Sequence, residues 1–201
     1  MSVAGDQTAL TSDVWYLTIC QNGTSKDVKW DREKFQTQSG DGWSVTQLGA
    51  NDYQLTLTNA NLNKLYFRGG NWRIVLNGNN TLDGAGTYIA LEIYSGNITI
   101  DGNGSLKVDS RSLINANGIS VGVNGSLTIM KGTINASASG NFSDTSAAIL
   151  VNGRLNILGG KIIAKASGKY AVLVGGASNA VGEFSMSGGC LLYTSDAADE
   201  L

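Results

Sequence analysis

A five-residue unit recurs along this chain at nearly constant spacing: glycine, polar, large apolar, polar, apolar. It reads Gly70-Asn71-Trp72-Arg73-Ile74, Gly96-Asn97-Ile98-Thr99-Ile100, Gly125-Ser126-Leu127-Thr128-Ile129, Gly153-Arg154-Leu155-Asn156-Ile157 and Gly182-Glu183-Phe184-Ser185-Met186. Successive glycines lie 26, 29, 28 and 29 residues apart. A period of this size marks a solenoid, in which one small unit stacks on copies of itself. Within each copy apolar and polar residues alternate, as on a strand with one buried face. Trp72, Ile98, Leu127, Leu155 and Phe184 are expected to point inward, as are Ile74, Ile100, Ile129, Ile157 and Met186. Arg73, Thr99, Thr128, Asn156 and Ser185 are expected to point out.

Two further strands fit inside each period. One follows a second glycine, at Gly104–Val108, Gly132–Ala136 and Gly160–Ala164, with Gly78–Leu82 a weaker copy. The other precedes the main unit, at Leu65–Phe67, Leu91–Ile93, Ile119–Val123, Ile149–Val151 and Val172–Val174. The pattern predicts an all-β right-handed parallel β-helix of about five coils, each with three short strands joined by Gly/Asn/Ser turns. Hexapeptide and calcium-roll nonapeptide repeats are absent. Residues 61–189 hold no helical stretch long enough for a βαβ solenoid.

Residues 1–60 are richer in charge and hold Trp15, Trp30 and Trp43. Val14–Cys20, Gly42–Leu48 and Tyr53–Leu57 read as strands. A stack of coils exposes unpaired strand edges at its ends, so residues 1–60 are expected to form an N-terminal β cap, with the coils over 61–189.

Residues 190–201 are treated apart. Cys190 to Glu200 reads CLLYTSDAADE, which resembles the translation of a sequencing-library adapter, and the segment is set aside as non-native. A natural acidic tail is the alternative. On the adapter reading the native chain continues beyond residue 189. Acids then fall from 16 to 13 against 14 bases, a net charge of about +1 for residues 1–189, and Cys20 is left as the one thiol. Neither charge balance nor any segment points to nucleic acid or to a membrane span. Residues 1–12 lack the pattern of a signal peptide, so an export signal is expected outside this sequence, with a cytoplasmic protein as the alternative.

The run Trp43-Ser44-Val45 through Tyr53-Gln54-Leu55-Thr56-Leu57-Thr58-Asn59-Ala60, followed by G-S-L-T-I and G-G-K-I-I-A units, resembles a family of Gram-positive gut-bacterial surface proteins. These carry a β-helix described as carbohydrate-binding and similar in fold to polysaccharide lyases. The resemblance covers residues 14–189. It implies a β-helix, an extracellular or cell-surface location and a polysaccharide or surface glycan as partner.

Histidine is absent, which removes the commonest general base and metal ligand. Carboxylates remain. Asp83 and Asp109 each follow their motif glycine by 13 residues and are expected to stack on neighbouring rungs, with Ser137 and Lys165 continuing the column. Stacked carboxylates repel unless a cation compensates. Together with Asp101 they form a candidate Ca²⁺ site, with solvated turn-forming aspartates as the competing reading. Arg111 is the nearest base for a lyase. Tyr66, Tyr88, Tyr94 and Tyr170 are candidate sugar-stacking rings, unless they simply cover coil edges. The leading expectation is a non-enzymatic carbohydrate-binding or adhesin-like module that requires no cofactor. A lyase-like enzyme acting on acidic glycans and a structural spacer are the alternatives.

Overall fold

The computed structural model describes residues 16–29, 37–86, 88–112, 116–139, 146–167, 170–176 and 180–195. It is a β-solenoid of about four turns, of the right-handed parallel β-helix class, and the described residues contain no helix. The expectation of about five coils counted motif copies, and five copies mark out four complete turns between them.

The chain enters through β1 (Tyr16–Gln21) and β2 (Thr24–Lys29), an antiparallel hairpin. Asn22 and Gly23 turn it with φ of 53° and 73°, the backbone twist that a two-residue hairpin favours. Sequence reading found β1 but not its partner. The Asn-Gly pair was the signal available. β3 (Gln38–Gly40), β4 (Trp43–Gln47) and β5 (Asp52–Thr58) follow as an antiparallel meander, and β6 (Asn61–Leu62) closes this end. Trp15 and Trp30 lie outside the described residues.

The coils are β7 (Lys64–Asn77), β8 (Asn79–Ala85), β9 (Ile89–Gly102), β10 (Ser105–Arg111), β11 (Asn117–Ile129), β12 (Thr133–Ser139), β13 (Ala147–Val151), β14 (Arg154–Ile157), β15 (Lys161–Ala166), β16 (Tyr170–Val174), β17 (Glu183–Met186) and β18 (Cys190–Ser195). Three short strands per coil were expected. In the first three coils the two strands around the motif glycine instead run on as one long bent strand. Gly70 and Gly96, with φ of 76° and 97°, let the ladder turn the corner without a break. In the last two coils they separate, as β13 with β14 and β16 with β17.

Each long strand pairs in parallel with its copy one coil on, and the second-glycine strands form a second sheet in the order β6-β8-β10-β12-β15-β18. The motif registers as the sequence implies: Trp72 opposite Ile98, Ile98 opposite Leu127, Leu127 opposite Leu155, Leu155 opposite Phe184. The first four are buried, each contributing about 1.5–3 kcal/mol where the side chain leaves water. At the first coils Trp72 packs against Tyr53 and Phe67, with ring centroids 5.0 and 5.4 Å away, and its indole N–H donates to Gly69 O. Phe184 and Met186, expected inward, hold the inward register but are 42% and 43% exposed, because no further rung covers them among the described residues.

The weak copy at Gly78–Leu82 has its own logic. Asn80 takes an inward position and is 2% exposed. Its side chain accepts from Ala60 N and donates to Asn77 O and Ser105 O, so burial leaves no polar atom unpaired. Of the segment set aside at residues 190–201, Cys190–Ser195 forms β18, paired in parallel with β15, and the remainder lies outside the described residues. At the opposite end β1 pairs with the first half of β7 and β5 with the second, so the edge of the first long strand is covered along both halves.

Candidate functional site

Asp83 and Asp109 are register partners on β8 and β10, and Ser137 and Lys165 continue the column on β12 and β15. The compensating cation is in the chain itself. Arg111 Nη2 lies 2.9 Å from Asp83 Oδ1 and 3.3 Å from Asp109 Oδ2. Ser137 Oγ donates to the other oxygen of Asp109 at 2.9 Å. Arg111 thus serves as a donor to two carboxylates on the same face where a lyase would need a free base.

Asp101 does not join them. It lies at the end of β9, in the first sheet, where Arg73 Nη2 donates to Oδ2 at 2.6 Å and Gly102 N–H donates to Oδ1 at 2.7 Å. The Arg73 hydrogen bond, and after it the Gly102 N–H, hold the Asp101 carboxyl below the usual carboxylate range. The structure therefore assembles two of the three aspartates. Among the described residues no group of three or more His, Cys, Asp or Glu is placed to hold a metal.

Two of the four tyrosines come together. Tyr66 stands opposite Glu92, as the spacing predicts, and its ring lies 6.3 Å from that of Tyr94, inclined by 43°. Tyr94 reaches this place through a bulge: Phe67 pairs with Ile93 and Arg68 with Ser95, leaving Tyr94 as an extra residue. A bulge of this kind re-aims a side chain. Lys64 Nζ sits 5.6 Å from the Tyr66 ring and 2.6 Å from Glu92 Oε2, and the Arg68 guanidinium lies 5.7 Å from the Tyr94 ring. Tyr66 is half-buried and Tyr94 is 53% exposed. Tyr88 is exposed at the start of the same long strand. Tyr170 lies three coils away at the open end, beside Phe184 and Leu191.

The residue after each motif glycine was missed by sequence reading, although its repetition was visible. Asp52, Asn71 and Asn97 stand in one outward column. Asn71 Nδ2 donates to Asp52 at 3.0 Å, and Asn97 Nδ2 donates to Asn71 at 2.9 Å. Stacked amides of this kind bond along the column and leave their remaining donors and acceptors facing outward. The column forms the shared wall of two depressions. One, of about 490 Å³, takes in Arg73, Thr99 and Asp101. The other, of about 350 Å³, takes in Asn51, Ser95 and Asn124. Ser95 follows Tyr94 directly, so exposed ring, amide column and Arg73–Asp101 pair succeed one another along β9.

Set against family models, curated proteins and solved structures, the chain finds no match in any of the three.

Proposed function

We propose that this chain is a non-catalytic β-helix module of a secreted or cell-surface bacterial protein, and that it binds a glycan along the outer face of the first sheet. The observation that carries the reading is the sequence of groups along β9. A half-exposed tyrosine ring at Tyr94 is followed by the Asp52–Asn71–Asn97 column and its two depressions. An aromatic ring offers an apolar surface to a sugar ring, and planar amides offer paired donors and acceptors to neighbouring hydroxyls. The site is concave and contains no nucleophile–base pair, which suits retention rather than turnover. The extracellular setting rests on the family resemblance drawn from the motif residues.

A glycan array tests the proposal. The wild-type chain is expected to be retained on a subset of glycans, and Tyr94→Ala and Asn97→Ala to lose that retention while melting within a few degrees of wild type. Retention unchanged in both variants removes the site. A rise in absorbance at 235 nm on polyuronates, abolished by Asp109→Ala, would replace it with the lyase reading.

A further inference from the structure

On the second sheet, β12 presents short side chains outward: Thr133, Asn135, Ser137 and Ser139. Its neighbours present long ones, Lys107 on β10 and both Ile163 and Lys165 on β15. Adjacent strands lie about 4.8 Å apart, so the long side chains stand as walls about 10 Å from each other with β12 as the floor. The result is a trench of about 280 Å³ along β12.

Its chemistry is uneven. Lys107 and Lys165 are exposed and form no ion pair among the described residues. Asp83 and Asp109, the acids of this face, are taken up by Arg111. On the floor, Asn135 makes no side-chain hydrogen bond among the described residues, and Ser137 donates its proton to Asp109, leaving its oxygen as an acceptor. The trench is thus cationic at its walls and polar along its floor, on a chain whose formal net charge is −2. A general attraction for polyanions is not built into the molecule as a whole; it is local to this sheet.

We infer that the trench is a second binding site, for a sugar chain bearing carboxylate or sulfate groups. Lys107 and Lys165 take the anionic groups, and Asn135 and Ser137 take hydroxyls between them. From the strand spacing and the two-residue offset, the two lysine Cα atoms are about 12 Å apart, a span that suits successive charges on one extended chain. The site uses a different sheet and different residues from the Tyr94 surface, and either can fail without the other.

Affinity electrophoresis through gels containing polygalacturonate, dextran sulfate or uncharged dextran tests the inference on the full chain. Wild type is expected to be retarded by at least one of the two polyanions and not by dextran. Retardation by only one identifies the anionic group preferred. Lys107→Gln/Lys165→Gln is expected to weaken binding about 100-fold at low salt, on the order of tenfold for each charge-assisted hydrogen bond removed. Lys107→Arg/Lys165→Arg is expected to retain binding, and so is Tyr94→Ala. Equal binding by wild type and the glutamine variant overturns the site, as does the absence of retardation in both polyanions. Loss of polyanion binding in Tyr94→Ala alone transfers it to the first sheet.

Discussion

Asp83 and Asp109 face each other across one rung spacing, and the Arg111 guanidinium closes on both, 2.9 Å from one carboxylate and 3.3 Å from the other. Two like charges in register destabilise a sheet unless something offsets them. Arg111→Gln is therefore expected to lower stability by about 0.5–1 kcal/mol, the range for partly exposed ion pairs, with Asp83→Asn in the same chain restoring part of it. Removing the guanidinium also opens the carboxylate pair to a metal. Thermal melts with calcium and with chelator are expected to differ more for Arg111→Gln than for wild type. A chelator effect that is as large in wild type shows instead that calcium already acts on the native chain.

Asp101 supplies a pH dependence. Its folded-state pKa lies below its unfolded value because Arg73, and then Gly102 N–H, hydrogen-bond the carboxylate. The stabilisation is therefore complete above the unfolded pKa of about 3.9 and is lost as pH falls through the lower folded value. Arg73 is half exposed, so the gain is on the order of 0.5–1 kcal/mol. Urea melts of wild type and Asp101→Asn are expected to differ at pH 7 and to converge at about pH 2–3. A difference that is the same at both pH values rules out this linkage.

Leu127 sits mid-stack, between Ile98 and Leu155, and is 1% exposed. Leu127→Ala is expected to cost about 2–5 kcal/mol, as buried leucine truncations do. Phe184 occupies the same column one rung beyond Leu155 but is 42% exposed. Phe184→Ala is expected to cost no more than about half as much, since much of its surface already meets water. Denaturant midpoints of the two variants rank them. The reverse order would mean that Phe184 is covered in solution.

Gly96 turns the corner of the second long strand with φ of 97°, and a Cβ there would come within 2.6 Å of Gly70 O on the coil below. Backbone strain and steric overlap act together, so Gly96→Ala is expected to destabilise by about 1–3 kcal/mol or more. The bend lies beside Asn71 and Asn97, so glycan retention is expected to fall with it. Hydrogen exchange at Ile98 and Ile100 reads the loss of the local ladder directly, and unchanged protection there would show that the corner tolerates a side chain.

Much of the coil architecture was legible because period-2 alternation repeated every 26 to 29 residues specifies both which face is buried and which residues meet across rungs. The pairing of Asp83 with Asp109, and of Tyr66 with Glu92, followed from counting alone. The deviations in spacing were not interpretable that way. The 26-residue interval and the 29-residue interval after it reflect extra residues at different corners, Gly69–Gly70 on β7, Tyr94 on β9 and Gly122–Asn124 on β11, where the register shifts. A bulge leaves no compositional mark, so counting placed Tyr94 at a strand–turn junction and not beside Tyr66.

The amino-acid sequence by itself determined the stack: short-range alternation and a constant period leave few other ways to bury the Trp72–Phe184 column. What the tertiary structure alone decided is how charges and rings meet on the outside. Arg111 closes on two carboxylates, Asp101 turns away to Arg73, and Tyr94 swings next to Tyr66. Outward side chains are not constrained by the core. Their partners depend on corner geometry and rotamers, which a repeat in the sequence does not encode.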